Sequence, residues 1–358
     1  MSDALFQPLT LRGMVARNRI WVPPMCQYAA TNQDGTANQW HLVHYGALAA
    51  GGAGAVTVEA TGVVPEGRIS TQCLGLWNDA QTEAFRPITE FAHAQGAAIG
   101  IQLNHAGRKA SSYPAWGTPK RGMAPATDGG WPIVAPSPIP ADSWGAPREL
   151  ATNEVAKIPA AFAAAAKRAD AAGFDFVQLH GAHGYLLHQF LSPFSNQRTD
   201  RYGGSLENRA RLLLETVAAV REVLPDTKPL MVRLSVTEWV EGGFDIAESI
   251  QLVRWLDGAG VDMVDASTGG NVPARIPVGP GYQVRFAEQI RRATDMTTGA
   301  VGLILNAAQA EQILVSGQAD VVHMGRALLR EPTLPIRMSV ELGHQVDYVP
   351  GQYANAWR

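Results

Sequence analysis

The chain has 358 residues, 46% hydrophobic and 17% charged, with 36 glycines and 23 prolines; low charge beside ordinary apolar content excludes a disordered, solvating chain. A net charge of −3 supplies no electrostatic reason to bind nucleic acid or an anionic membrane. The opening MSDALFQPLT lacks the regions of a secretory signal, no apolar run approaches the roughly 18 residues of a membrane-spanning helix, and Cys26 and Cys73 make neither a disulfide framework nor a Cys-rich metal site, so a cytoplasmic protein is expected.

Length alone suggests about two domains, but single α/β barrels also reach this size. The N-terminal stretch 6–17 reads as a small hairpin suited to plugging the bottom of a barrel. From there short, mostly apolar β-rich segments alternate with longer helical ones. The pattern predicts strands over 19–23, 55–59, 98–103, 174–180, 230–234, 263–267, 300–304 and 321–324, apolar as parallel strands buried on both faces must be. It predicts helices over 81–95, 154–172, 206–224, 247–258, 284–293 and 307–316. Gly96, Gly173, Gly260 and Gly317 each follow a helix and precede a strand, the position of a left-handed C-cap. Eight strands separated by helices point to one closed (β/α)8 TIM barrel across 1–358. The rival, an open doubly wound sheet, would want a GxGxxG after the first strand and finds none. One excursion after strand 3, over 104–152, is rich in Pro, Gly and Trp (Trp116, Trp131, Trp144); a loop this long is expected to be a lid or an interface element.

Barrel chemistry sits where strands end and loops begin. After strand 1 come Pro23, Pro24, Met25, Cys26, Gln27 and Tyr28, a stiffened exit followed by a thiol and a phenol, or alternatively a buried structural Cys and a loop Tyr. After strand 4 come His180, Gly181, Ala182, His183, Gly184 and Tyr185. Two imidazole N–H donors can hold a developing oxyanion while the phenol donates a proton; the rivals are a His-x-x-His metal site, for which strand 4 offers no nearby carboxylate or Cys, and core histidines satisfied by backbone. Gln102 lies on strand 3. Arg233, charged inside an apolar strand, needs a partner, either an anionic or carbonyl-bearing ligand or a structural carboxylate. Gly302 and Leu303 after strand 7, and Gly325 and Arg326 after strand 8, occupy the usual phosphate position of barrels. One phosphate-bearing ligand stretching from strands 7 and 8 towards strands 1 and 4 accounts for all of them.

The segments PPMCQY, IQLNHAGRKA, LHGAHGYLLHQFLSPFSNQRTDRYGGSLENRARLLLE, STGGNVPARIPVGPGYQVRFAEQIRR, AVGLI and GRALLREP resemble the Old Yellow Enzyme family over essentially the whole chain. The Cys after Pro-Met is similar to the thermophilic-like, or xenobiotic reductase, branch. The resemblance implies an FMN-dependent ene-reductase in which NAD(P)H reduces tightly bound, non-covalent FMN, and hydride then passes to Cβ of an activated alkene (enone, enal, maleimide or nitroalkene). It implies that Pro23, Pro24, Met25, Cys26, Ala60, Gln102, His180, Arg233, Gly302, Leu303, Gly325 and Arg326 hold FMN, with Cys26 tuning its potential. It further implies that His180 and His183 bind the substrate oxygen, Tyr28 borders the substrate and Tyr185 protonates Cα. A homodimer or homotetramer is implied, with the tail 340–358 near a subunit interface and Trp357, Arg358 or Lys109 as contacts to a neighbouring site. The chain departs from many relatives at Ile304-Leu305-Asn306, where Ile-Thr is usual, which bears on the phosphate loop. Cys73 has no assigned part.

The competing readings are a metal- or phosphosugar-type barrel isomerase or aldolase using His180 and His183, and a non-catalytic flavin-binding barrel. Iron–sulfur relatives of the family need more cysteines than two, and RNA-modifying flavoproteins are disfavoured by the acidic net charge.

Overall fold

In the computed structural model, which describes residues 4–142 and 144–357, eight parallel strands close into a barrel: β1 (Ile20–Val22), β2 (Ala55–Gly62), β3 (Ala98–Asn104), β4 (Phe176–Gly181), β5 (Leu230–Ser235), β6 (Met263–Ser267), β7 (Thr297–Ala300) and β8 (Val321–His323). They pair in chain order, and β8 pairs back to β1 through Val322↔Ile20. All eight residues of β2 are buried, as are all seven of β3; burial on both faces is why the sequence shows apolar runs and no alternation. Helices α1 (Gln39–Ala50), α2 (Asp79–Ala94), α3 (Ile158–Ala171), α4 (Leu206–Val223), α5 (Ile246–Gly258), α6 (Val284–Ala293) and α7 (Ala307–Val315) surround the barrel. Gly96, Gly173, Gly260 and Gly317 all have positive φ, the backbone that closes a helix at no steric cost to glycine.

The core has two main compartments, and a third, small cluster lies at the mouth. The larger lies between strands and helices. The smaller fills the barrel's lower end, where Leu11, Met14 and Ala16 pack on Trp21, Phe176, Met231, Met263 and Val321. The first three residues belong to an antiparallel hairpin, Leu9–Leu11 against Met14–Ala16, so the stretch predicted to plug the barrel does so. Gly100 on β3 makes room for the Phe176 ring: a Cβ there would come within 2.2 Å of it.

Two predicted elements differ from the structure, and one observed helix was not predicted. The seventh strand is Thr297–Ala300 instead of 300–304. It pairs only up to Ala300, and Gly302 (φ 122°) and Leu303 (φ 55°) then turn the chain out of the ladder. The helix expected over 154–172 is two, Thr152–Val155 and α3. Pro159, in the first turn of α3, has no N–H to continue a helix from below. Helix α1 is not singled out by the sequence pattern; it is started by Asn38, which accepts from Trp40 N–H at 3.0 Å, with His41 completing the box in place of the usual acid.

The excursion is pinned along its length. Arg108 is buried and donates to the backbone and side-chain oxygens of Asn271 at 2.7 and 2.9 Å. Arg198 donates to Pro136 O and Leu150 O, and Trp131 Nε1 to Glu66 O. Among the described residues, no helix is long and apolar enough to cross a membrane.

Candidate active site

The upper interior of the barrel is polar, and strand register builds it. Gln102 and Gln178 face each other across β3 and β4 and are joined by a 2.8 Å hydrogen bond from Gln102 Nε2. His180, Arg233 and Asp265 are register neighbours on β4, β5 and β6. Arg233 Nε stands 3.1 Å from Asp265 Oδ2 at an angle too poor for a hydrogen bond. His323 Nε2 lies 3.7 Å from the other oxygen of the same fully buried carboxylate. Of the two partners open to Arg233, a structural carboxylate is therefore present, while its guanidinium also lines the cavity described below.

The strand-4 exit brings His180, His183 and Tyr185 together. The two imidazoles lie 5.1 Å apart edge to face, and the phenol ring is 4.8 Å from His180. His183 adopts a left-handed φ of 58°, held by its N–H donating to Ser235 Oγ at 2.9 Å. Its Nε2 bonds Ser267 Oγ at 2.7 Å, and His180 Nδ1 accepts from Ala182 N–H at 3.3 Å. That leaves His180 Nε2 and His183 Nδ1 for a ligand. Burial, and next the Arg233 charge, push both imidazoles well below the ordinary histidine range, so both are neutral donors. Burial pushes the Tyr185 phenol up. His188 belongs to the following helix, Leu186–Leu191, where its Nδ1 accepts from Gly184 N–H at 2.9 Å. Lys109 is engaged within its own chain: Nζ donates to His183 O and Gly270 O at 2.8 and 2.9 Å and lies 5.3 Å from the Tyr185 ring centre.

Facing this group, the strand-1 exit turns at Tyr28, whose φ is 51°. Cys26, Tyr28 and Tyr185 pack with Trp131 and Trp144 of the excursion on a buried patch that contains Ala60 and Cys73. Trp116 meets the Tyr28 ring edge-on at 4.7 Å. Cys26 sits beside Cys73, and this neighbour and then burial raise the Cys26 thiol well above its ordinary value. Cys73 accepts in turn from Ser70 N–H at 3.3 Å.

Between β7 and β8 a cavity is lined by Arg233, Gly302, Leu303, Gly325 and Arg326, with Tyr282, Gln283 and His323 among its other walls. Gly325 sits against Met25 Sδ and Pro23 Cγ, at 3.3 and 3.5 Å from where its Cβ would be, so the strand-1 and strand-8 exits adjoin. In the departing segment, Ile304 and Leu305 line the same cavity, while Asn306 caps α7 by accepting from Gln309 N–H at 2.9 Å. Asn306 therefore serves the helix that follows the loop.

Trp357, together with Ile336, Val340 and His344, lines a groove of its own chain's C-terminal segment that includes no residue of the mouth. Arg358 lies outside the described residues. Sequence reasoning missed Asp265, His323, Gln178, Ser267 and Gln283. The signal for the first two was available: Met231-Val232-Arg233, Met263-Val264-Asp265 and Val321-Val322-His323 each place one polar residue in an apolar strand. Among the described residues, no group of three or more His, Cys, Asp or Glu side chains is placed to hold a metal ion.

A closed parallel barrel whose upper face joins a cavity lined by Arg233 and Arg326 to paired imidazoles and a phenol is the arrangement of a cofactor-dependent barrel enzyme. Residues 4–345 match the model of the NADH:flavin oxidoreductase / NADH oxidase family. The chain is 45% identical over 359 residues to an NADPH dehydrogenase of Geobacillus thermodenitrificans and 43% identical over 357 to one of Halalkalibacterium halodurans, covering 100% of each chain. It superposes on morphinone reductase with a TM-score of 0.79 and 31% identity, covering 96% of this chain and 90% of that one. The chain belongs to the NADH:flavin oxidoreductase family, the Old Yellow Enzyme family. It is an FMN enzyme reduced by NAD(P)H. The site fits FMN: the exposed Arg326, the glycine-lined turn and the Arg233 guanidinium, whose Nε is buried without a hydrogen bond, offer the donors that a phosphate and an electron-poor ring require.

Proposed function

We propose that the chain is an ene-reductase acting on enones, enals, maleimides and nitroalkenes, with NADPH, the reductant in the names of the two curated relatives, or NADH supplying electrons. The observation that carries this reading is the convergence of His180, His183 and Tyr185 on one mouth opposite Cys26 and Tyr28. Pro23, Pro24, Met25, Cys26, Ala60, Gln102, His180 and Arg233 would hold the flavin ring and ribityl chain, and Gly302, Leu303, Gly325 and Arg326 the phosphate. When bound, FMN takes hydride from NAD(P)H and supplies it to Cβ of the alkene.

The side chains do the rest. His180 and His183 hold the carbonyl or nitro oxygen and stabilise the charge that develops there, more strongly in the transition state than in the ground state. Their neutrality avoids burying an unpaired charge beside Arg233. Tyr185, kept protonated by burial, delivers its O–H proton to Cα. Tyr28 and Trp116 wall the substrate, and the excursion 104–152 acts as the lid of a single FMN-binding barrel domain. The working form is a homodimer or homotetramer, in which the tail 340–358 lies at an interface and Trp357 and Arg358 reach a neighbouring mouth.

The visible spectrum of the purified protein tests the reading. A yellow flavin band, as isolated or after reconstitution with FMN, is expected; absence of the band in both cases overturns it.

A further inference from the structure

Glu59 is fully buried on β2 and has no part in the chemistry above. A bulge sits at this point: pairing with β3 jumps from Val58↔Ile101 to Thr61↔Leu103. Bulges re-aim side chains, commonly beside active sites. Here the carboxylate lies beneath the strand-1 exit loop and accepts the Gln27 N–H at 2.8 Å, with the Tyr28 N–H beside it. Its other oxygen accepts the Tyr45 hydroxyl at 3.0 Å, and that hydroxyl accepts from Glu59's own N–H at 3.1 Å. The loop is tied again by Gln27 Nε2 to Met25 O at 2.8 Å and by Trp40 Nε1 to Gln27 Oε1 at 3.2 Å. Ala60, the next residue, donates its N–H to the Cys26 sulfur.

We propose that Glu59 is the positioning residue of the strand-1 exit: its carboxyl group clamps the loop carrying Cys26 and Tyr28, and when it is charged it opposes ionisation of the Cys26 thiol. The groups that face it are His41, His44 and Tyr45 from α1, Cys26 and Tyr28 from the loop, and Cys73 from the segment after β2. None supplies a cation at neutral pH. His41 Nε2 is 3.6 Å away without a hydrogen bond, and burial pushes both His41 and His44 down to about 4. Burial pushes Glu59 itself up to about 8, so the clamp changes charge within the working range of pH. A carboxylate gaining charge above that point opposes thiolate formation at Cys26. The consequence for the flavin rests on the function proposed above; the clamp itself does not.

The test is the rate of Cys26 alkylation by iodoacetamide between pH 6.5 and 9.5, followed by mass spectrometry of the Cys26 peptide in the protein as isolated. Glu59→Gln keeps the shape and an acceptor for Gln27 but removes the charge. It is expected to alkylate about tenfold faster at pH 8.5, tenfold being one unit of thiol ionisation, and to lose the inflection near pH 8. Tyr45→Phe removes a donor to the carboxylate, making it easier to protonate; its rate is expected to rise near pH 8 and to meet the wild-type rate by pH 9.5. Should Glu59→Gln not fold, the Tyr45→Phe profile decides. A folded Glu59→Gln protein with the wild-type rate and profile overturns the proposal, as does a wild-type profile from Tyr45→Phe. The flavin band is recorded on the same samples, so its absence contradicts the function and not the clamp.

Discussion

Replacing Tyr185 with phenylalanine is expected to slow alkene saturation by about 10²–10⁴-fold, the range for loss of a positioned general acid. Oxidation of NAD(P)H in the absence of alkene should stay near the wild-type rate, because that half-reaction needs no proton at Cα. The expectation comes from position and protonation state together. Tyr185 begins the short helix Leu186–Leu191, its ring 4.8 Å from His180, which fixes the hydroxyl at the mouth. Burial opposes its ionisation, so the proton is present throughout the working pH range. Phenylalanine keeps the packing against His180 and removes only the O–H. Rapid-reaction measurement of the two half-reactions separates the outcomes. Equal losses in both would mean that Tyr185 shapes the site and donates no proton.

Stability is expected to collapse in mild acid. Burial lowers His41, His44, His105 and His188 to about 4, and lowers His180, His183 and His323 as well. The sign follows from proton counting. An unfolded histidine titrates near 6.5, so below that value the unfolded chain binds protons that the folded chain refuses, and stability falls as pH falls. At pH 5.5 each such histidine costs about 1.4 kcal/mol relative to neutral pH, and several together rival a typical total stability of about 5–15 kcal/mol. Two groups act in the opposite direction: Glu59, raised by burial, and His93, raised by its hydrogen bond to Asp175. They offset a minority of the loss. Urea midpoints measured from pH 7.5 down to 5 should drop steeply below about 6.5; a flat profile over that window would contradict the buried, neutral histidines.

Much of the fold is legible in the sequence because a parallel barrel repeats one unit. Apolar runs mark strands buried on both faces, and Gly96, Gly173, Gly260 and Gly317 mark helix ends with a backbone that other residues resist. The seventh strand was misplaced because Val301 to Ile304 reads as strand by composition, whereas Gly302 and Leu303 turn the chain towards the cavity. The loop residues of the site were legible as clusters: His180, His183 and Tyr185 lie within six positions. Residues whose meaning depends on a neighbouring strand were not. Arg233 and His323 both approach Asp265 only because the barrel brings β5 on one side and β8, across β7, on the other to the same carboxylate, and no local spacing announces that. Cys73 and Glu59 are illegible for the same reason, since both act on Cys26 from elements distant in the chain.

On the function proposed above, this barrel mouth is expected to saturate an activated carbon–carbon double bond. The direct measurement is product formation: the FMN-loaded protein incubated anaerobically with NADPH and 2-cyclohexenone, with the ketone products separated and quantified. One cyclohexanone is expected per NADPH consumed. NADPH consumption or flavin binding without any saturated ketone would contradict it.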